Sequence, residues 1–411
     1  MSKKIFIGNN DVASILSDMK VAYNEMGIET ITVMDRETTV LDRCEVDYNF
    51  TKAKKIWFGG VRPRALQKWL QERQHIEYKV WRKAIKECDI FVFIWSSFKN
   101  DYSDIIELKK LGKKVIFLFC GDDARWYYAA KQEYELYGFR TIEYDENYDY
   151  SVAGLEKKLL RVRMAEKYAD FIFSRLDQAQ LDLRPYYRYH MWVDSKMVKH
   201  NPTQRATNPV IVHAPSHRKI KGTQFVLEAF ERLKNEGIQF TTKLIENLPN
   251  REAIDIYTDA DIVIDQLIIT GTGKLASEAL AAGCVVMAHM GYGVYPQKNP
   301  DDCPIIDVNA DTIYQELKSI ILDYPRRVKL ANEARNYVLR NLDVRIFCKK
   351  IVDLCNDQQI PYDYHPDFYR NHFVPESVES TRVYNKWNQF VMDTDWYRKI
   401  VKSGERNGLI F

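Results

Sequence analysis

The 411-residue chain lacks any apolar run long enough for a bilayer: its longest, Ile90–Trp95 and Val115–Cys120, have six residues each, against roughly 20 for a membrane-spanning helix. Its seven cysteines (Cys44, Cys88, Cys120, Cys284, Cys303, Cys348, Cys355) are odd in number, scattered and never arranged as Cys-x-x-Cys. Neither a disulfide framework nor a zinc knuckle is expected, and most should be reduced core or near-core residues. The eight histidines show no metal-ligand spacing either, so no required metal is expected. A strong charge bias is missing: 60 Lys plus Arg face 57 Asp plus Glu, a net +3, and with no recognisable nucleic-acid module no nucleic-acid partner is expected. The start, Met-Ser-Lys-Lys before Ile-Phe-Ile-Gly, lacks the apolar stretch and cleavage site of a secretory signal and reads as an immediate strand, which sets a cytoplasmic expectation. There is no low-complexity segment and no short solenoid repeat.

What is present is an ordinary globular balance, 28% charged and 46% hydrophobic, which excludes a disordered chain. The length holds two or three domains at about 150 residues each. Lys4–Gly8 reads as a strand ending on a polar turn, after which Val12, Ile15, Leu16, Met19, Ala22 and Tyr23 recur at helical spacing. Strands follow at Glu29–Val33, Ile56–Phe58, Ile90–Trp95 and Val115–Cys120, with helices around Ala65–Lys86 and Tyr102–Leu111 and a marginal helix at Phe171–Ser174. This alternation predicts a parallel sheet covered on both faces. Asn201–Pro209 is rich in Pro, Thr and Asn and reads as a linker between an N-terminal domain over 1–200 and a second domain over 210–343. The same grammar restarts there: strands at Val210–His213, Thr241–Ile245, Ile262–Leu267 and Val285–Ala288, and helices at Thr223–Glu236, Arg251–Thr258, Glu278–Ala282, Ala310–Leu322 and Arg326–Leu342. An extension over 344–411, dense in Tyr, Trp and charge, must pack on something already built. Two doubly wound domains facing one another place the carboxyl ends of both sheets against one cleft, where ligands bind in open α/β folds.

The most informative stretch is Asp261–Met287, DIVIDQLIITGTGKLASEALAAGCVVM. A strand runs into Gly271-Thr272-Gly273-Lys274, and a helix carrying Glu278 follows. Glycines before a helix let backbone N–H groups approach an anion, and the helix N-terminus adds about half a positive charge, so a diphosphate suits this place. A helix-entry turn is the plain alternative. Glu278, further along, is positioned to accept hydrogen bonds from a ribose diol. A second constellation, Val212 to Thr223, is a strand, a basic turn and a helix. Arg218 with Lys221 and Gly222 would neutralise a diphosphate and the charge on a departing nucleotide, or form a solvated basic turn. His213 reads equally as a satisfied strand-end histidine.

These residues resemble the GT-B glycosyltransferases, in particular glycosyltransferase family four and its near relatives. Glu278-Ala279-Leu280-Ala281-Ala282-Gly283 and the strand after it are similar to that family's Glu-Ala-(Met/Leu)-Ala-x-Gly, and Arg218 with Lys221-Gly222 is similar to its Arg and Lys-Gly pair, at a spacing of three rather than the commoner five. Many members carry another Glu, which touches the donor sugar, where this chain has Thr270; Asp265-Gln266-Leu267 looks like a different branch of the fold. The resemblance implies an α/β GT-B architecture of two doubly wound Rossmann-like domains facing a central cleft, with the last helices crossing back toward the first domain. It implies a hexosyltransferase-type enzyme that moves a sugar from a nucleotide-diphosphate sugar of UDP type, as substrate and with no cofactor, to a hydroxyl on a glycan, glycolipid or protein, with retention. Glu278 would then hold the ribose, the Gly271–Lys274 turn with Arg218, Lys221 and Gly222 the diphosphate, Asp265 and Thr270 would lie at the donor, and Ile245, Glu246 and Leu248 near the base.

On the acceptor side, Gly121-Asp122-Asp123-Ala124-Arg125 looks like a Gly-(Ser/Asp)-Asp-x-Arg turn of some relatives. Asp123 could take or orient the acceptor proton and Arg125 bind a phosphate, or the two could form a plain ion pair. Gly8-Asn9-Asn10 resembles the acceptor-side loop, with a tight turn as the alternative. Lys52–Lys86 holds eleven Lys or Arg against Glu72 and Glu77, a balance of +9, with Trp57, Trp69 and Trp81 interleaved. Such a helix either lies peripherally on an anionic inner membrane face or is a solvated helix whose Trp residues reach the core. Asp393-Thr394-Asp395 sits in a C-terminal helix pattern and reads as a surface or capping element. A non-catalytic partner subunit and a sugar-nucleotide epimerase are the rival functions.

Overall fold

The computed structural model describes residues 4–35, 45–51, 63–67, 70, 75–141, 148–292, 303–364, 368–394 and 397. Two parallel sheets carry it. The first runs in the order β3 (Tyr48–Asn49), β2 (Thr30–Met34), β1 (Ile5–Gly8), β4 (Ile90–Ile94), β5 (Lys114–Leu118), β6 (Phe171–Ser174), β7 (Tyr187–Arg188). The second runs β12 (Ile306–Asp307), β11 (Val285–Ala288), β10 (Ile262–Ile264), β8 (Val210–His213), β9 (Thr241–Leu244). The chain packs as two compact units, Met1–Leu118 with Tyr168–Ile172, and Phe119–Lys167 with Phe173–Phe411.

In the first unit the central strands are buried along their whole length, β4 in all five residues, because a parallel sheet with helices on its faces leaves neither side to water. Phe6 lies beside Phe91 and Gly8 beside Phe93 in register. The chain order reverses between β1 and β4, and Gly8-Asn9-Asn10 leaves β1 at that point. Asn9 is buried and donates through Nδ2 to the Ser97 carbonyl at 2.5 Å. Asp11 then caps the helix Ile15–Glu25, accepting the Leu16 amide at 2.8 Å. Trp81, on the helix Ile76–Glu87, stacks on Phe98 at 4.9 Å and meets Phe91 edge-on, so this tryptophan of the basic segment belongs to the core. Residues 52–62, 68, 69 and 71–74, with Trp57, Trp69 and the expected strand Ile56–Phe58, lie outside the described residues.

In the second unit the sheet alternates faces residue by residue. Ile211, Ile262, Ile264, Val285 and Met287 pack against the helices Thr223–Asn235 and Ile313–Leu322. Val210, Val212, Val263, Val286 and Ala288 pack against the helices Asn250–Thr258, Lys274–Ala282 and Tyr324–Asn341. The chain order reverses between β8 and β10, which are in register with Ile264 beside His213. The sequence predicts a strand to Leu267; β10 instead ends at Ile264, because Asp265 and Gln266 turn inward to bond the following loop. The helix expected from Glu278 begins one turn earlier, at Lys274.

The unit also contains two helices that the periodicity does not reveal, Tyr127–Leu136 and Val152–Tyr168. The C-terminal helix Val378–Met392 places Val383, Tyr384 and Val391 in one cluster with Trp126, Leu155 and Leu159. The Trp126 indole donates to Glu376 at 3.0 Å, anchoring the segment before that helix. No described helix is long and apolar enough to cross a membrane.

Candidate functional site

The switch between β8 and β10 opens a crevice at the carboxyl ends of the strands, the place where open α/β sheets bind ligands. Lys221, just beyond β8, and Asp265, just beyond β10, close it as an ion pair at 2.5 Å, with the lysine 13% exposed and the aspartate fully buried. The other Asp265 oxygen accepts the Gly273 amide at 3.0 Å. Gln266 completes the arrangement: its Oε1 accepts from Lys221 Nζ at 3.0 Å, and its Nε2 donates to the Gly271 carbonyl at 2.6 Å. Asp265 and Gln266 thus brace the glycine turn from below.

The turn itself needs its glycines. Gly271 has φ +88°, a left-handed conformation that strains any side chain, and a Cβ there would lie 3.1 Å from Arg175 Nη2. A Cβ at Gly273 would overlap Asp265 Oδ2 and lie 3.0 Å from Lys221 Nζ. Gly222, with φ +69°, closes the single helical turn Arg218–Lys221, and a Cβ there would come within 2.9 Å of Leu267.

Glu278 lies inside the helix Lys274–Ala282 and is 4% exposed. It accepts from Asn250 Nδ2 at 3.0 Å and from the Tyr257 hydroxyl. Lys274 Nζ donates to the Trp192 carbonyl at 3.2 Å. Arg218 and Glu246, expected to meet different parts of a nucleotide, face each other: Nε to Oε1 at 2.8 Å and Nη2 to Oε2 at 2.6 Å, a bidentate and largely exposed pair. The neighbouring Glu246 raises the Arg218 pKa, and Arg218 holds the Glu246 carboxyl below its usual range. His213 is buried with both nitrogens used, Nδ1 donating to the Ile264 carbonyl at 2.9 Å and Nε2 accepting from Thr223 Oγ1 at 3.0 Å. Burial holds its ring below the ordinary histidine pKa.

At the end of the loop after β5, Asp123 is fully buried and accepts the Cys120 amide at 3.0 Å and the Gly121 amide at 2.6 Å. Its carboxylate ties the turn. Burial raises its pKa against the pull of Arg161 and Lys158. Arg125 does not pair with Asp123: it binds Asp122 at 3.1 Å, and Asp177 through both the carboxylate and, at 2.9 Å, the backbone carbonyl. Gly8, Asn9 and Asn10 are buried in the first unit at its own switch point, and Asn9 is committed to the Ser97 carbonyl.

Three polar residues that the sequence reading passed over gather above the glycine turn. Arg175, directly after β6, is 9% exposed, donates from Nη2 to the Thr270 carbonyl at 3.1 Å and pairs with Asp177 at 3.3 Å. Thr270 is further fixed by its amide, which donates to the Tyr134 hydroxyl at 3.3 Å. Arg188 on β7 and the half-buried His190 complete a small pocket with Arg175, Thr270, Gly271 and Thr272 on its walls. Burial, with Arg188, Arg175 and Lys350 nearby, pushes the His190 ring down to about 3, so it is neutral. Arg175 was discoverable: it follows an apolar strand on the ligand-binding edge of a parallel sheet. Arg188 had no such signal. Among the described residues no group of three or more His, Cys, Asp or Glu side chains could hold a metal ion.

Among solved structures, the chain is similar to sucrose-phosphate synthase from Thermosynechococcus elongatus, with 12% identity and a TM-score of 0.52 over 86% of this chain and 98% of that one. It is similar to Anabaena HepE in complex with UDP, also 12% identical with a TM-score of 0.52, over 86% of this chain and all of that one. A glycosyltransferase from Rickettsia africae ESF-5 gives 15% identity and a TM-score of 0.51 over 87% and 98%. These are GT-B structures, and the two parallel sheets with flanking helices match them: the fold is the GT-B α/β architecture. No family model matches the chain, and no curated protein sequence matches it.

Proposed function

We propose that this protein is a glycosyltransferase that moves a sugar from a nucleotide-diphosphate sugar, of UDP type, to a hydroxyl acceptor. The observation that carries the reading is the placement of the Gly271–Gly273 turn directly before the helix that carries buried Glu278, at the strand-order switch of the second sheet and with the turn beside an open pocket. The Gly271 and Gly273 amides are held by the His289 carbonyl and by Asp265, so it is the N-terminus of the helix Lys274–Ala282 that suits a diphosphate, and a carboxylate deeper along the same helix suits a ribose diol. Similar solved structures hold such ligands: HepE is seen with UDP and glucose, at a TM-score of 0.51.

In this reading Glu278 re-forms its hydrogen bonds around the ribose, with Tyr257 and Asn250 keeping it in place, and Arg125 lies toward the acceptor. Asp123 acts through the turn that it ties rather than as a proton acceptor, because its oxygens already hold two amides. Transfer with retention, in the synthesis of a glycan or glycolipid by a cytoplasmic enzyme at the inner membrane face, is the finer form of the proposal. It keeps the division into domains at 1–200 and 210–343 joined by 201–209, with 344–411 as an extension, and it expects chelators to leave transfer unchanged.

The test is a thermal-shift panel of nucleoside diphosphates and sugar nucleotides on the wild type and Glu278→Ala. Ligand at ~100 times its dissociation constant adds about 2.7 kcal/mol of stability, so a base-selective rise that shrinks in the variant is the expected result. The carboxylate partners already held by Arg218 and Lys221 favour a second reading, a non-catalytic partner subunit of the same fold. Nucleotide binding without donor turnover in any acceptor screen would select that one.

A further inference from the structure

The cations that the sequence assigns to the diphosphate are already committed. Arg218 is held bidentately by Glu246, and Lys221 is held by Asp265 and Gln266. An incoming diphosphate at the Gly271–Gly273 turn would also meet the Asp265 carboxylate, which sits under the Gly273 amide. The site therefore needs positive charge from elsewhere, and the pocket above the turn supplies it.

Two residues lining that pocket carry a buried side-chain atom with no hydrogen-bond partner among the described residues: Thr272, through Oγ1 and itself only 2% exposed, and Arg188, through Nη1. Burying such atoms unpaired costs about 1–3 kcal/mol each, more for a charged group, so they mark a place for a ligand. Arg175 adds a second guanidinium, fixed above the turn by the Thr270 carbonyl and paired at 3.3 Å with Asp177, a carboxylate that it shares with Arg125. Two arginines stand against one carboxylate, Asp177, among the residues lining the pocket. His190 contributes a neutral ring, which can donate one hydrogen bond without adding charge.

Resting on the proposed donor reading, we infer that the distal phosphate of the nucleotide diphosphate is received by Arg188, Arg175 and the Thr272 hydroxyl, rather than by Arg218 and Lys221. The guanidinium of Arg188 gains the partner it lacks, and Arg175 reaches the anion from the same wall. Lys221 instead neutralises Asp265, which lets that carboxylate organise the turn without repelling the ligand.

Calorimetric titration of UDP, ADP, GDP, UMP and inorganic pyrophosphate into the wild type, Arg188→Gln, Thr272→Val and Arg218→Gln tests this. The preferred diphosphate should lose about tenfold or more in affinity in Arg188→Gln, the scale of a lost charge-assisted hydrogen bond, while UMP binding stays the same. Thr272→Val, which removes only a hydroxyl, should lose about threefold, and Arg218→Gln less than Arg188→Gln. Thr272→Val keeps the test decisive if Arg188→Gln fails to fold. A diphosphate that binds the wild type, Arg188→Gln and Thr272→Val equally, or that suffers more from Arg218→Gln, overturns the inference and leaves the donor reading standing. Pyrophosphate binding that Arg188→Gln abolishes, with no nucleotide bound by any form, upholds the anion subsite and overturns the donor reading. Absence of binding by nucleotides and pyrophosphate alike overturns both.

Discussion

Asp265 reaches under Gly273 so closely that the glycine cannot carry a side chain: Oδ2 accepts the Gly273 amide at 3.0 Å and occupies the volume that a Cβ would need. The backbone of Gly273 is extended, with φ −83°, so its requirement is steric and not conformational. Gly273→Ala should therefore destabilise the protein by about 1–3 kcal/mol, the usual cost of overpacking a closed site. The same change should weaken nucleotide diphosphate binding, because the Lys221–Asp265 pair must move. Denaturant midpoints and titrations on the same samples measure both, and a neutral outcome in both would show that the carboxylate is free to withdraw.

Glu278 tests the other end of the same helix. Tyr257 is 1% exposed and its hydroxyl donates to Glu278, so Tyr257→Phe deletes a donor to a buried carboxylate without changing ring volume. Loss of stability by about 1–3 kcal/mol is expected. Nucleoside binding should weaken as well, since the carboxylate loses the group that orients it. If stability falls while binding of every nucleotide is unchanged, Glu278 has a structural role only.

The fold was legible where burial and sequence pattern agree. β8 and β11 coincide with the strands read from Val210–His213 and Val285–Ala288, because each is a short apolar run closed by polar or glycine residues. The helix Val152–Tyr168 was not legible, since Arg163 and Glu166 sit on its buried side with no exposure and break the apolar stripe. β3 and β7, two residues each, are too short to show any period. In the site, the Gly271–Gly273 turn and Glu278 were legible as a local motif. The pairing of Lys221 with Asp265 was not, because it joins residues 44 apart that only the strand order brings together. The charge partners of Arg218 and Arg125 were hidden for the same reason: sequence names the cation and leaves its nearest carboxylate open.

Asp104 should make stability depend on pH in mildly acidic solution. It is fully buried near the start of the helix Ser103–Lys110, accepts the Lys99 amide at 2.9 Å, and its Oδ1 has no hydrogen-bond partner among the described residues. Burial pushes its pKa up to about 6 from 3.8. Between those values the folded chain holds a proton that the unfolded chain has released, so stability falls as pH rises from about 4 to about 6 and stays lower above. Asp104→Asn should remove that slope and raise stability at pH 7 by up to about 3 kcal/mol. Thermal midpoints of both proteins from pH 4 to pH 8 measure it; parallel profiles would mean that Asp104 stays ionised.

The last prediction concerns what holds the C-terminal helix to the second unit. Arg163 is fully buried and donates to Glu166 at 2.7 Å and to Asn388, on the helix Val378–Met392, at 2.9 Å and 3.2 Å. Asp182 lies in the same cluster, its carboxyl pushed well above the usual range by burial and by Glu166, with Arg163 and Arg184 opposing. Removing Arg163 leaves Glu166 buried without that ion-pair partner, which typically costs about 3–5 kcal/mol. Arg163→Met keeps much of the volume and isolates the charge, so it should destabilise by that amount. Asn388→Ala removes only the contact from the C-terminal helix to Arg163 and should cost about 1 kcal/mol. Because Asn388 is the far end of the connection, hydrogen exchange in Asn388→Ala should quicken first in the helix Val378–Met392, ahead of the helix Val152–Tyr168. Equal protection of the two helices in wild type and variant would show that the apolar cluster of Trp126, Leu155, Leu159 and Val383 holds the extension without this polar tie.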